Sequence, residues 1–539
     1  MSVRLETPVE PASAGMPPRA SSGWAALAGV VSFVAWAGAA EAAAVVTGPG
    51  GSPLLAVGSA VIDLAPAAAK DTMVGLFGTG DKVALGVLMA VVLVVVTGLA
   101  GVAEQRRPPL GRVLFGVGGA LAVAAVLTRA GSGSLDAAPA VIGTVVAVVV
   151  LPGLLRRLWR WRLSTTPGWA AATEPTPPLG GAPVERRSFL TAIGLTSAVA
   201  VVVGAGARVI NAGRADVAAL RDGIALPEAA VTAEPVPAGA SLDVPGITPY
   251  VTSNEDFYRI DTALRVPSID PAEWSLRIHG LVENEIVVSF DELLALPLEE
   301  HLATLSCVSN EVGGDLIGTA LWLGHPIRTL LARAVPTAGA DMVLSTSEDG
   351  FTAGTPLDVL TDEGTDALLA VGMNGQPLPQ EHGFPVRMVV PGLFGYVSAT
   401  KWVVDLEVTR FADAEGYWTP RGWDALGPVK LESRVDVPAS GTSVDAGTVP
   451  IAGVAWHPHT GVARVEVQID EEPWVDAQLA DSVSADTWVQ WVHRWEATSG
   501  RHTVRVRATG ADGEVQREAR MAPAPNGAEG WDEHQVTVR

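Results

Sequence analysis

The chain has 539 residues, a length that predicts several domains, and its charge is distributed unevenly. Residues 1–210 carry a net charge of +5 and the remaining residues carry −27, which gives the chain's total of −22. So acidic a second part argues against nucleic acid or anionic lipid as its partner. The mean hydropathy of +0.31 is high for a soluble protein and predicts membrane spans.

The first part predicts a membrane domain that contacts lipid directly. Residues 1–22 are rich in Pro, Ser and Ala and predict a disordered cytoplasmic tail. Residues 23–210 predict a multi-pass domain with about five transmembrane helices. The predicted spans are 24–46, 84–102, 113–127, 140–155 and 189–210. Residues 53–82 are interpreted as an outer loop, and whether the apolar stretch 53–69 enters the membrane stays open because Asp63 interrupts it.

Arginine clusters set the predicted orientation. Five spans place the clusters at 106–112, 156–162 and 186–187 on the same side as the N-terminus. Since cytoplasmic loops carry the excess of Lys and Arg, the N-terminus is predicted to be cytoplasmic and the second part extracytoplasmic. Arg186 and Arg187 also resemble a twin-arginine export signal, and the alternative is that they merely end a cytoplasmic loop.

Metal-ligating residues are scarce. The first histidine is His279 and the only cysteine is Cys307. These residue types predict no bis-histidine haem in the membrane domain, and no iron–sulfur cluster or c-type haem in the chain. The membrane domain is therefore interpreted as an anchor or docking surface, and electrons are expected to pass through a separate partner.

The second part begins with residues 211–241, whose Pro, Ala and Glu predict a linker. Short strands and helices then predict an α+β domain over residues 242–427, with a helix capped by Ser289 and a strand that ends at Cys307. Residues 428–539 show strand patterns only, including a clear alternation at 462–469, and predict an immunoglobulin-like sandwich. His457 and His459 are interpreted as part of a solvated turn there.

A lone cysteine has two interpretations, a small buried apolar residue or a metal-bound thiolate. Around Cys307 lie sequence blocks in a fixed order, at 253–259, 305–311, 373–379, 382–387 and 401–402. Together these blocks resemble the sulfite oxidase family of molybdopterin enzymes. The resemblance covers residues from about 243 to the C-terminus.

The resemblance implies a molybdenum–molybdopterin cofactor with a single pterin, and Cys307 as its one protein thiolate ligand. It implies Arg259 as a catalytic residue facing a small oxyanion or S-oxide substrate. The other implied cofactor-binding residues are Asn254, Tyr258, Thr346, His382, Arg387, Ser398, Thr400 and Lys401. It further implies export of the folded, cofactor-loaded domain and a homodimer through the C-terminal domain.

Two departures leave the substrate open. Val371 stands where sulfite oxidases place a tyrosine near the metal, and residues 309–314 lack the arginines found there in that family. The leading hypothesis is a membrane-anchored oxidoreductase that transfers an oxygen atom and two electrons, with sulfite or a related sulfur compound as substrate. The alternatives are an S-oxide reductase with the same cofactor and a cofactor-free, membrane-displayed immunoglobulin-like binding protein.

Overall fold

A computed structural model describes residues 22–47, 52–65, 81–128, 134–164, 182–213, 217–263 and 266–539. The chain divides into a helical unit, residues 1–64 and 82–214, and a second unit that includes residues 215–539. Almost all of the predicted cytoplasmic tail, and the predicted outer loop between residues 66 and 80, lie outside the described residues.

The helical unit is built from long apolar helices joined by shorter segments. Its α-helices are α1 Ser22–Thr47, α2 Pro53–Leu64, α3 Asp81–Arg106, α4 Leu110–Leu127, α5 Ala138–Ser164 and α6 Ala182–Gly213. By length and composition, five helices among the described residues are able to cross a membrane: Ser22–Val45, Ala84–Arg106, Leu110–Leu127, Ser134–Arg162 and Arg186–Ala207. They agree in number and place with the predicted spans, whereas the orientation stays a prediction. Helix α2 rises only about 18 Å, less than the roughly 30 Å of a bilayer core.

Small residues let these helices pack closely. A Cβ atom on Gly29 of α1 would meet the Thr97 carbonyl oxygen of α3, and one on Gly38 would meet Ala200 of α6. The buried Glu41 carboxylate accepts a hydrogen bond from Ser52 Oγ at 2.7 Å. This buried carboxylate is therefore partnered, as a low-dielectric surrounding requires.

The α+β part of the second unit contains two sheets. Its strands are β1 Ser275–Gly280, β2 Ile286–Ser289, β3 Glu299–Ser306, β4 Ile317–Pro326, β5 Met342–Ser347, β6 Thr352–Pro356, β7 Leu368–Met373, β8 Gln376–Pro377, β9 Arg387–Val389 and β10 Val403–Thr409. One sheet has the order β2-β1-β10-β5-β6, and the other has the order β3-β4-β7-β8 with β9 paired to β7. Its helices are α7 Val217–Asp222, α8 Phe290–Ala295, α9 Ile327–Ala334, α10 Leu357–Thr361 and α11 Gly395–Ser398.

The stretch predicted as a linker, residues 211–241, is folded from residue 217 onward. Val217 is buried at the start of α7, and Arg221 donates hydrogen bonds to the carbonyls of Leu378 and Pro377 at 2.9 and 2.8 Å. The backbone N–H of Ala230 donates to the Leu298 carbonyl at 2.7 Å. This segment is thus packed against the α+β part, because its apolar and cationic side chains find partners there.

The C-terminal part contains strands and turns. Its strands are β11 Glu432–Val437, β12 Ser443–Val444, β13 Gly447–Trp456, β14 Val462–Ile469, β15 Val475–Asp476, β16 Gln478–Leu479, β17 Val489–Ala497, β18 Gly500–Gly510 and β19 Asp532–Val538. They form two sheets, β11-β13-β17-β16 and β12-β19-β18-β14-β15. Residues from both sheets, such as Ile451, Trp491, Val506 and Val536, share one buried core. The region is therefore a β sandwich, and its assignment as immunoglobulin-like stays a prediction.

Candidate active site

Cys307 is the first residue after strand β3, in a short loop that returns to β4. Its backbone N–H donates to the Leu316 carbonyl at 2.9 Å, and its own carbonyl accepts from the Asn310 N–H at 3.0 Å. The Asn310 side chain closes the loop by accepting from the Leu316 N–H at 2.9 Å. Since these bonds fix the backbone on both sides of Cys307, its sulfur has a defined position at the sheet edge.

Opposing effects act on the Cys307 thiol. Burial raises its pKa above the ordinary value, whereas hydrogen bonds from the Ser309 backbone N–H and hydroxyl, together with the Lys401 charge, lower it. Burial outweighs them, so the pKa stays raised. The hydrogen bonds are in place to stabilise a thiolate once a metal displaces the proton.

Tyr258 lies close enough to Cys307 and Arg387 for their charges to affect its ionisation. Burial raises the pKa of this phenol far above its usual range; a charged Cys307 raises it further and Arg387 opposes both. The Phe257 ring stacks on Tyr258 with centroids 5.1 Å apart and meets Trp322 edge to face at 5.7 Å. The hydroxyl of Tyr258 therefore stays protonated and is a hydrogen-bond donor at neutral pH.

Arg387, at the start of β9, is a buried cation. Its guanidinium donates to the carbonyls of His382 and Met388 at 3.2 Å each, and its centre lies 5.0 Å from the centroid of the Trp322 ring. Burial lowers its pKa to about 10, so it remains charged at neutral pH. Gly383 has φ +114°, and a Cβ there would lie 2.8 Å from Arg387 Cβ, so glycine is needed for this turn.

His382 is neutral at physiological pH. Burial, with the nearby charge of Arg387, lowers its pKa to about 4, although a hydrogen bond to the Asn254 carbonyl acts in the opposite direction. The Nε2 to oxygen distance is 2.9 Å, and because a carbonyl only accepts, the proton lies on Nε2. His382 therefore adds no positive charge to the site at neutral pH.

Lys401 and Arg259 share one carboxylate. Lys401 Nζ lies 2.7 Å from Asp261 Oδ2, and Arg259 Nε lies 3.0 Å from the same oxygen. The Asp261 side chain is only 4% exposed, and Lys401 also donates to the Glu381 carbonyl at 3.1 Å. Asp261 thus fixes the predicted substrate-side arginine and the predicted cofactor-binding lysine relative to each other.

The other predicted site residues make hydrogen bonds within the protein. Asn254 Nδ2 donates to the Met373 carbonyl at 3.3 Å, and its Oδ1 accepts from Asn374 at 2.8 Å. The buried hydroxyls of Ser398 and Thr400 bond to the Phe394 carbonyl and to Ser345 at 3.0 and 2.7 Å. The remaining one, Thr346, is half-buried in β5, opposite residues of β6 and β10.

Comparison with known proteins supports a single family. Residues 263–418 match the family described as the oxidoreductase molybdopterin binding domain. An uncharacterized oxidoreductase of Bacillus subtilis is 32% identical over 158 residues, which are 29% of this chain and 76% of that protein. The chain belongs to the molybdopterin-binding oxidoreductases.

The chain is also similar to sulfite oxidases. The mitochondrial sulfite oxidase of Rattus norvegicus is 32% identical over 273 residues, 43% of this chain and 49% of that enzyme. The chain spans about half the length of the sulfite oxidases of rat, mouse and human. The crystal structure of the sulfane dehydrogenase SoxCD from Paracoccus pantotrophus aligns over 54% of this chain and 82% of that one, at 20% identity and a TM-score of 0.47.

The residues at this site fit the family's cofactor. The backbone N–H and hydroxyl of Ser309 act to lower the pKa of the Cys307 thiol, and soft sulfur suits a transition metal. Cationic Arg387 and Lys401 are buried near it in an otherwise acidic unit, which suits the phosphate of a pterin. The alternative prediction of a cofactor-free binding protein is wrong, because the chain is a molybdopterin-binding oxidoreductase.

Three residues that contact the site were not predicted individually from the sequence, although two of them lie in the sequence blocks named above. Asp261 holds Lys401 and Arg259, Ser309 bonds to the sulfur, and Asn374 bonds to Asn254. Ser309 lies only two positions after Cys307, where a backbone N–H and a hydroxyl commonly turn back to the preceding residue. Asp261 carried no such signal, because its link to Lys401 spans 140 positions.

Proposed function

We propose that this oxidoreductase is membrane-anchored and transfers an oxygen atom and two electrons to or from a small sulfur compound. The observation that supports the proposal is that residues from separate segments lie near one another. The Phe257 ring, stacked on Tyr258, and the Arg387 guanidinium both contact Trp322, and Cys307 lies close enough to Tyr258 and Lys401 for electrostatic interaction. A molybdenum–molybdopterin cofactor, when bound, supplies the two-electron oxygen-atom chemistry. Cys307 would ligate its metal.

Each group then has a defined task. Arg387 and Lys401 would hold the phosphate end of the pterin, and neutral His382 would offer Nδ1 as an acceptor because its Nε2–H donates to the Asn254 carbonyl. The protonated Tyr258 donates a hydrogen bond beside Cys307. Arg259, whose side chain is 35% exposed, is the candidate contact for an anionic substrate. With sulfite, the net oxidation consumes one water and yields sulfate, two electrons and two protons.

Cys307→Ser tests the proposal. We expect the variant to lose most of its molybdenum by elemental analysis, because a hydroxyl is a poor ligand for a metal that favours thiolate. Ser309→Ala is a milder change near the same ligand. We expect this variant to keep its molybdenum but to have an altered optical spectrum, because the sulfur loses a hydrogen-bond donor. Equal molybdenum, an unchanged spectrum and full turnover in Cys307→Ser would show that Cys307 is not a ligand.

A second candidate, reduction of S-oxides such as methionine sulfoxide, is favoured by the charge at the site. Arg259 and Lys401 are both tied to Asp261, and the loop after Cys307 supplies Ser309 and Asn310 instead of arginines. Less free positive charge suits a neutral substrate better than an anion. Turnover of sulfite with an electron acceptor, compared with turnover of a sulfoxide with a reduced dye, distinguishes the two functions.

The proposed placement has the N-terminus in the cytoplasm and residues 215–539 outside it. The arginine clusters on one side of five apolar helices support this orientation. Arg186 and Arg187, within the first turns of α6, are proposed as a twin-arginine signal that exports the folded domain. Electrons would then pass to or from a separate extracytoplasmic partner, and the β sandwich is the proposed homodimer surface. Protease protection of right-side-out vesicles tests the orientation: external protease should digest residues 215–539.

A further inference from the structure

An unpartnered histidine nitrogen lies at one end of the β sandwich, away from the residues assigned above. Among the described residues, Nδ1 of His457 is fully buried and has no hydrogen-bond partner. His457 follows strand β13 and begins the turn 457–461. A buried imidazole nitrogen without a partner is unfavourable as either a donor or an acceptor, so it calls for a ligand.

Two carboxylates face the same space. The ligand atoms of His457, Asp512 and Glu514 all lie within 4.8 Å of one another. Asp512 and Glu514 are exposed, and no ion pair to either carboxylate exists in the part of the chain that the structure describes. Two carboxylates without an ion-pair partner and one imidazole nitrogen form a set of ligand atoms that suits a divalent cation.

Glycine at position 510 lets the two ligand atoms lie close to the backbone of the same turn. A Cβ atom built on Gly510 would lie 2.6 Å from both Asp512 Oδ1 and His457 Nδ1, so a larger residue would push these two side chains aside. Zinc binds nitrogen and carboxylate oxygen at about 2.0–2.2 Å, and the two carboxylates are exposed and have room to rotate toward such a cation.

The backbone holds the two halves of the cluster together. The turn 457–461 is closed by a hydrogen bond from the Gly461 N–H to the His457 carbonyl at 2.7 Å. The turn after β18 is joined to it because the Ala511 N–H donates to the Gly461 carbonyl at 3.0 Å, next to the β14–β18 ladder. The geometry is thus set by the fold and not by the three side chains alone.

We propose that His457, Asp512 and Glu514 bind a first-row divalent transition cation such as Zn²⁺, with water in the remaining positions. One imidazole and two carboxylates favour such a metal over Ca²⁺ or Mg²⁺, which prefer oxygen ligands throughout. His459, two residues along the turn, instead lies 2.9 Å from Asp486 and 3.1 Å from the Pro391 carbonyl. The cation would therefore fix the turn by which the sandwich contacts the α+β part, and its role is structural.

The test uses the full chain in detergent, purified without a histidine tag and stripped with EDTA, then titrated with ZnCl₂. Equilibrium dialysis with metal analysis should give one Zn²⁺ per chain, and the melting temperature should rise and saturate with the same concentration dependence. Asp512→Asn with Glu514→Gln, both at exposed positions, should weaken Zn²⁺ binding by about tenfold or more. The matched control is Glu471→Gln with Glu472→Gln, exposed acids of the same sandwich, which makes an equal change in charge and should bind as the wild type.

Cobalt supplies a second readout that separates His457 from general charge. Co²⁺ bound at this site should show a ligand-field absorption band that shifts or disappears in His457→Gln. The inference is overturned if the wild type binds less than one Zn²⁺ per chain, or if the double variant binds it as tightly as the control. It is also overturned if the Co²⁺ spectrum is the same with and without His457.

Discussion

Asp261→Asn is the sharpest test of how the candidate active site is held. In the wild type, one carboxylate oxygen accepts from Lys401 at 2.7 Å and from Arg259 at 3.0 Å, and the Asp261 side chain is 4% exposed. Asparagine is nearly the same size but neutral, so the packing is kept while the charge is lost. Lys401, at 10% side-chain exposure, would then be a buried cation without its carboxylate.

The expected loss of stability in Asp261→Asn follows from how far the Lys401 and Arg259 side chains are exposed to solvent. A hydrogen bond to a charged group contributes roughly 1.5–3 kcal/mol when buried. The Lys401 bond is almost fully buried and contributes in full, whereas the Arg259 bond is about one-third exposed and contributes less because solvent screens it. We therefore expect the free energy of unfolding to fall by about 2–4 kcal/mol, near the range for breaking a buried ion pair.

The assay combines the melting temperature of the full chain, followed by tryptophan fluorescence, with molybdenum and pterin content. Both should fall in Asp261→Asn, since Lys401 no longer has a fixed position. Asp256→Asn is the matched control, because Asp256 is exposed in the same segment and bonds only to Ser253 in the described structure. If Asp261→Asn matches this control in both measurements, the shared carboxylate does not position the site.

Three further changes probe the surrounding groups. The pKa of His382 in the folded chain, about 4, lies below the ordinary value of 6.5. Between pH 6.5 and 4 the unfolded chain therefore binds more protons, so the free energy of unfolding falls by about 3 kcal/mol as the pH drops. In His382→Gln, urea unfolding should show a weaker dependence of this free energy on pH. Arg387→Lys should lower pterin content several-fold, measured by fluorescence after release, because an ammonium cannot bridge the carbonyls of His382 and Met388 as the guanidinium does. Arg434→Lys should lower molybdenum content, because the wild-type side chain donates to the Gly314 carbonyl at 2.7 Å and so fixes the loop after Cys307.

Specific results would contradict each of these expectations. If the free energy of unfolding depends on pH in His382→Gln as it does in the wild type, groups other than His382 cause the loss of stability at low pH. Full pterin content in Arg387→Lys would show that a positive charge at position 387 is sufficient to bind the pterin. For Arg434→Lys, the control is Arg464→Lys, because the Arg464 side chain is about half exposed in the same sandwich. Equal molybdenum content in the two variants would show that the Arg434 contact does not support the metal site.

The sequence predicts local structure well where the signal is short-range. Ser289 followed by Glu292 predicts a capped helix, and the structure has the full capping box at Phe290–Ala295. The strand alternation at Val462–Ile469 also coincides with a strand of the structure. In each case the determining contacts lie within a few residues, so a linear pattern contains the information.

Long-range pairing was harder to predict. Strand β4, Ile317–Pro326, is buried on both faces and lacks the alternation that identifies a half-exposed strand. Val371 is placed in the apolar core of the α+β part, so the sequence departure at this position corresponds to a packing residue. At the site, the roles of the motif residues stay predictions, whereas Asp261 is identified only by the fold because its partner is distant in sequence.

The family match and the site do not have the same boundaries. The match covers residues 263–418, yet the strand and loop that position Cys307 are bonded to the sandwich beyond it. The Trp488 N–H donates to the Thr304 hydroxyl of β3 at 2.9 Å, and Arg434 and Arg520 donate to the carbonyls of Gly314 and Val312 at 2.7 and 3.2 Å. Since these bonds hold both ends of the cysteine segment, the sandwich is part of what positions the thiol. A fragment restricted to the matched residues would leave that segment without its second support.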